Sequence, residues 1–330
     1  MMIQNSRRPV LRRMLLAGAA CSLAVAALGP GFSATAHAGP QIVRDAPGSD
    51  RVSLTGGVVE AADAGPTPRS AAGASLIPPS FRKVAKIREL TIAGSRPGSS
   101  ERLVLAFPRK HQPGTPYSVV LFVHGAGGDR FDAMDTPAAN VNRALVAKGY
   151  LVASGDYWNR WNYGDPDSVD ALGRVLQQLG ARVKLSSVVV ESASMGGLTG
   201  LNAILRHKIP KLRGWVGVGP VCNLTAALAS PILGPGAQRG WDGAPPELVD
   251  QFDPLFTLPL SGVRTLPMMF LVSNTDTIVP RGSHADLCAS RFRSAGARVR
   301  VLTVAGEHGQ ASTFDTKAIV RFTQRVSSRS

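Results

Sequence analysis

The stretch that most limits the fold is "SVVLFV", Ser118–Val123. Five successive apolar positions leave a strand no wet face, so it must be covered on both sides, as in a parallel sheet between two helical layers. The chain beyond Val123 keeps that rhythm. A glycine loop leads to a helix around Ala138–Lys148, with Gly149 as its stop. The strand "YLVAS" precedes an amphipathic helix in "DPDSVDALGRVLQQLGARV", with Asp165 or Asp167 near its start. "SVVVE", "GWVGVG", "PMMFLVS" and "RVRVLTV" read as further strands. "GGLTGLNAILRH", "SHADLCASRFRSAG" and "TFDTKAIVRFTQRV" read as helices. Ahead of them, "KIRELTIAG" and "ERLVLAFP" alternate as antiparallel strands do. The expected class is α/β, with a mainly parallel central sheet and helices on both faces.

One stretch breaks the pattern. Pro220–Leu266 is too long for an ordinary loop, is rich in proline, and contains Trp241, Phe252 and Phe256. It is expected to be a cap insertion, about 220–266, shaping a pocket, with a surface excursion packed on the body as the alternative.

The N-terminus reads as an address. Four arginines in "SRRPVLRR" precede the apolar stretch Met14–Leu28, which is too short to span a bilayer, and then Ala36-His37-Ala38. That is a signal peptide over 1–38, cleaved after Ala38. Ser6–Arg12 resembles a twin-arginine motif, and an ordinary secretory signal with paired arginines is the alternative. The expected location is secreted or periplasmic, by bacterial export, with no stable membrane insertion after cleavage. Residues 39–80, dominated by Gly, Pro, Ala and Ser, read as a flexible leader, and 81–330 as one domain.

The 330-residue chain carries a formal charge of +15, and removing the signal's four arginines would leave +11. The basic residues are scattered without interleaved aromatics, which points away from nucleic acid. Scattered histidines and the lack of a CxxC motif point to no metal and no cofactor. Past the signal only Cys222 and Cys288 remain, either paired in an oxidising compartment or left as two buried thiols.

The chemistry centres on "VVVESASMGGLTG", Val188–Gly200. A nucleophile at a strand-to-helix bend needs small residues two before and two after it. Ser192 would have Val190 there. Ser194 has Ser192 and Gly196, so Ser194 is the candidate. A serine hydroxyl needs a base, and the base an orienting acid. Asp276 follows a strand in "FLVSNTDTIVP", and His308 follows the last strand in "VLTVAGEHGQ". The C-terminal ends of parallel strands share one edge, so the three can converge. "HGAGGD", at the end of the "SVVLFV" strand, offers the Ala126 amide as an oxyanion donor, and the Met195 amide is the second.

Other residues carry weaker readings. Asp253 is an alternative acid that follows no strand. His284 is expected on a helix surface, and His124 as a brace of its loop. His111 and His207 have no supporting context, and Glu191 is expected to be paired structurally, with modulation of the site as the alternative. Tyr157, Trp158 and Trp241 are candidates for a substrate pocket, with simple packing the alternative for Tyr157 and Trp158.

Together "HGAGGD", "SASMGGLTGL", "SNTDTIVP" and "GEHG" resemble the α/β-hydrolase superfamily, over roughly 83–326. The tail is similar to the branch of dienelactone-hydrolase-like and prolyl-oligopeptidase-like enzymes and secreted esterases. The resemblance implies an α/β-hydrolase fold and a serine-dependent carboxylic ester hydrolase using Ser194, Asp276, His308 and the two backbone donors. Its substrate would be a small-molecule or polymeric ester. A peptidase or amidase with the same residues, and a non-catalytic binder of anionic polymer, are the alternatives. Ser192 departs from the commoner glycine of the motif.

Overall fold

The computed structural model describes residues 77–94, 96–135, 137–257 and 259–328. The expected export signal and the expected leader up to residue 76 lie outside the described residues. The ordered body begins before position 81. Ile77 is buried, and a short helix, α1 (Pro79–Val84), buries Phe81, so the last residues assigned to the leader pack on the body.

Eight strands form one sheet: β1 (Ala85–Ala93), β2 (Ser100–Pro108), β3 (Tyr117–Val123), β4 (Leu151–Gly155), β5 (Leu185–Ala193), β6 (Leu212–Val218), β7 (Pro267–Ser273) and β8 (Arg298–Val304). Their order is β1-β2-β4-β3-β5-β6-β7-β8. The β1–β2 and β2–β4 pairs are antiparallel, and all pairs from β4 onward are parallel. The chain leaves β3 toward one side of the sheet and β5 toward the other. Their adjacent C-terminal ends therefore form a switch point, where open α/β sheets take ligands.

The apolar run in β3 is covered on both faces, as its composition requires. Val119, Leu121 and Val123 join one core with α4 (Pro166–Gly180), α5 (Gly196–Leu205) and α9 (Ala285–Ser294). Val120 and Phe122 join a second core with α1, α3 (Ala139–Ala147) and α10 (Thr316–Ser327). A short helix, α2 (Asp132–Asp135), adds Ala133 and Met134 to this second core. Asp165 caps α4, accepting the Ser168 amide at 2.7 Å.

Residues 220–266 fold into α6 (Leu224–Ala229), α7 (Gly234–Trp241), α8 (Pro246–Phe252) and a 3-10 turn. The expected cap is instead packed into the body. Leu233, Trp241, Phe252 and Val263 join the first core, and Gly262 lies so close to α5 that a Cβ would sit 2.4 Å from the Ile204 carbonyl. Asp253 holds the excursion together, accepting the Thr225 amide at 2.8 Å and its hydroxyl at 2.9 Å. Cys222 and Cys288 are buried free thiols, and the Cys288 thiol donates to the Cys222 carbonyl at 2.8 Å.

Candidate active site

Ser194 occupies the two-residue bend between β5 and α5. Its φ of 49° is left-handed, a conformation that costs a non-glycine residue roughly 1–3 kcal/mol. The bend is held from three sides. The Ser194 amide donates to Val218 O at 3.0 Å, and its carbonyl accepts the Gly197 and Val221 amides, each at 2.9 Å. The demand for small neighbours is visible in the packing. A Cβ on Gly196 would lie 2.4 Å from the Val123 carbonyl and 2.6 Å from that of His124.

His308 reaches this bend from the loop after β8. Its Nε2 is 2.8 Å from Ser194 Oγ, and its Nδ1 is 2.7 Å from Asp276 Oδ2. The Asp276 Oδ1 accepts the amides of Ile278 at 3.1 Å and Val279 at 2.8 Å. Burial pushes the Asp276 pKa up, but the hydrogen bond from His308 and those two amides outweigh it and hold the group below the ordinary carboxylate value. The acid and imidazole loops are tied together, since the Ser273 and Thr275 hydroxyls both donate to Gly306 O. Gly219 (φ 48°) backs the pair: a Cβ there would lie 3.2 Å from the His308 ring and 3.3 Å from Asp276 Oδ2. A cavity of about 30 Å³, lined by Ser194, Asp276, His308, Gly219 and Phe314 among others, adjoins the three groups and takes no lining residue from 220–266.

The loop after β3 lies against the same bend. A Cβ on Gly125 would sit 3.3 Å from Ser194 Cβ. The Gly127 and Gly128 amides are engaged by Arg160 O and Gly125 O. Among the described residues, the Ala126 and Met195 amides donate to no protein acceptor. His124 braces this loop, with Nδ1 2.8 Å from Gly125 O and Nε2 3.0 Å from Asp156 O.

Several expected placements change. Tyr157 does not line a pocket: it is fully buried and its phenol donates to Phe122 O at 2.7 Å. Trp241 is also a core residue, its indole donating to Tyr163 O at 3.1 Å and its ring set edge-on to Phe252. Trp158 stays partly exposed, with the Arg96 guanidinium 4.4 Å from its ring centre. His284 is buried rather than superficial. Burial, with a smaller contribution from His308, drives its pKa down to about 4 against the opposing pull of Asp276, which leaves it neutral at pH 7. Glu191 is unpaired: both its carboxylate oxygens are buried without a partner, and burial raises its pKa to about 8. One residue escaped sequence reading altogether. Glu101 in β2 accepts the amides of Tyr157 and Trp158 at 2.5 and 3.0 Å, and nothing but its place at a core-facing position of an alternating strand distinguishes it.

Among the described residues, no group of three or more His, Cys, Asp or Glu side chains is arranged to hold a metal ion. Nor, among them, is any helix long and apolar enough to cross a membrane.

The sheet order, the serine at the β5–α5 bend and the loops that meet it define the α/β-hydrolase fold. No protein-family model and no curated protein matches the chain. Solved structures do. A bacterial heroin esterase superposes with a TM-score of 0.60 at 20% identity, over 78% of this chain and 89% of that one. A thermostable esterase from Pseudomonas putida gives 0.56 at 18% identity, over 78% and 85%. A puromycin hydrolase gives 0.60 at 15% identity, over 76% of this chain and 40% of the longer one. At these identities the likeness is one of fold.

Proposed function

We propose that the protein is an exported serine hydrolase that cleaves carboxylic esters. The observation that carries this reading is the continuous chain from Ser194 Oγ through the His308 ring to Asp276 Oδ2, at 2.8 and 2.7 Å. Ser194 attacks the ester carbonyl while His308 Nε2 takes the hydroxyl proton. Asp276 holds the ring so that Nδ1 carries a proton and Nε2 is free to accept one. The tetrahedral oxyanion is received by the Ala126 and Met195 amides, donors that need no reorganisation as charge develops. His308 then protonates the departing alcohol, and water, activated by the same imidazole, releases the acid from the acyl-enzyme. The paired arginines and apolar stretch of the N-terminus support export.

The test is labelling by a fluorophosphonate together with turnover of p-nitrophenyl esters of graded acyl length. Ser194→Ala is expected to abolish labelling and lower kcat on the order of 10⁴-fold or more while the protein stays folded. Wild-type turnover in that variant would sink the assignment. The likeness to a puromycin hydrolase supports amide cleavage as a second reading. Faster turnover of aminoacyl p-nitroanilides than of short acyl esters would favour it.

A further inference from the structure

Two consecutive residues after β4, Tyr157 and Trp158, hold φ values of 47° and 75°. Successive backbone amides in a tight turn can converge on a concave nest for an anion, and the Asn159 amide closes such a turn on Tyr157 O at 3.0 Å. Here the anion belongs to the protein. Glu101 Oε1 accepts the Tyr157 amide at 2.5 Å, and Oε2 accepts that of Trp158 at 3.0 Å. Glu101 is 3% exposed, and its carboxyl fits against Gly155, where a Cβ would lie 2.9 Å from the Tyr157 ring and 3.1 Å from Glu101 Oε1.

The segment so held grips the loop after β3 at three points. The Asp156 carbonyl meets His124 Nε2 at 3.0 Å. The Asp156 carboxylate accepts the Arg130 amide at 3.1 Å. The Arg160 carbonyl accepts the Gly127 amide at 2.8 Å, and Arg160 Nε donates back to Gly127 O at 2.7 Å. Ala126 lies between two of these grips, with its own amide uncommitted. Without the carboxylate, the two amides lose their acceptor. The left-handed backbone of two bulky residues is then left to the Tyr157 phenol's bond to Phe122 O and the Asn162 amide's bond to Tyr157 O, so the loop would relax toward ordinary conformations.

We propose that Glu101 is a positioning residue for the oxyanion hole: by filling the Tyr157–Trp158 nest it fixes residues 156–160, which in turn aim the Ala126 amide at the carbonyl carried by Ser194. The inference rests on the serine-hydrolase reading. Glu101 touches neither substrate nor Ser194, and acts through the loop it holds.

The experiment uses the full-length protein and counts competent sites with a fluorophosphonate, so that kcat is expressed per labelled site. Glu101→Gln keeps the volume but replaces one acceptor with a donor. It is expected to lose about tenfold or more in kcat per site, as small misplacements of catalytic groups do, with KM within about twofold. Affinity for phenylboronic acid, which forms a tetrahedral adduct on the serine, falls in parallel. Glu101→Asp keeps the charge but reaches one amide at a time, and is expected to lose less. Should Glu101→Gln fail to fold, the same quantities are read on Glu101→Asp. Val141→Ala, in the core on the far face, lowers the melting temperature without changing kcat per site, and so shows what a purely structural loss looks like. If wild type does not label, the hydrolase reading falls and the inference with it. If wild type labels and the Glu101 variants behave as Val141→Ala does, the inference alone is overturned.

Discussion

Ser192 Oγ accepts a hydrogen bond from the Trp215 indole at 3.2 Å, in the space left by Gly200. The serine where such bends more often have glycine therefore has a structural job. It satisfies a buried N–H beneath the bend that carries Ser194. Ser192→Gly leaves that indole unpaired, and is expected to cost about 1–3 kcal/mol while retaining most turnover. Ser192→Val brings methyl groups toward Gly200, where a Cβ would already lie 2.4 Å from Ser192 Oγ, and is expected to be lost to misfolding. Chemical denaturation and ester turnover read both. Equal stability of Ser192→Gly and wild type would refute the role.

Gly219 backs the imidazole and the acid with no side chain to spare. Gly219→Val adds a β-branched residue at φ 48° and crowds His308 from behind. Displacing the ring from Ser194 is expected to lower kcat on the order of 10²-fold, with a smaller change in KM. Wild-type kcat in that variant would show that the His308 loop yields freely.

In the proposed mechanism the Asp276 charge selects the productive form of the His308 ring, and Asp276→Asn removes it. A loss on the order of 10⁴ in kcat is expected, with fluorophosphonate labelling slowed to match. A loss under about tenfold would mean that another group orients the ring.

Glu191 sets a pH dependence of stability. Its folded pKa of about 8 lies above the ordinary carboxyl value of ~4.3. Between these, the unfolded chain binds fewer protons than the folded one, so stability is fullest below the unfolded pKa and is lost as pH rises toward 8. Each pH unit in that window costs at most about 1.4 kcal/mol. Glu191→Gln lacks the titration, so its melting temperature should gain on wild type steadily between pH 5 and 8. Parallel curves for the two proteins would show that the carboxyl is ionised or solvated in the folded state.

What could be read from the sequence divides along physical lines. All eight strands were legible because each is an uninterrupted apolar run or a clean alternation. The convergence of Ser194, Asp276 and His308 was legible because each follows such a strand, and parallel strands deliver their ends to one edge. Direction was not legible for the aromatic residues. Tyr157 lies in a loop and Trp241 at the end of a short glycine-rich helix, where no periodicity in the sequence says whether a ring faces solvent, pocket or core. Glu191 misled because a carboxylate inside a strand ordinarily implies a partner, and here burial neutralises it instead. Glu101 gave no sign because its partners are backbone amides more than fifty positions away, and backbone amides leave no letter in a sequence.

The contact between His308 and Ser194 joins positions 114 residues apart, and that between Glu101 and Tyr157 joins positions 56 apart. Pairings so distant along the chain close large loops, whose entropy is repaid only after much of the sheet has assembled. The proposed reactive centre is therefore expected to be among the last features to mature when the polypeptide refolds. In refolding from denaturant, tryptophan fluorescence should recover before fluorophosphonate reactivity does, and the interval between them times the final closure of the molecule.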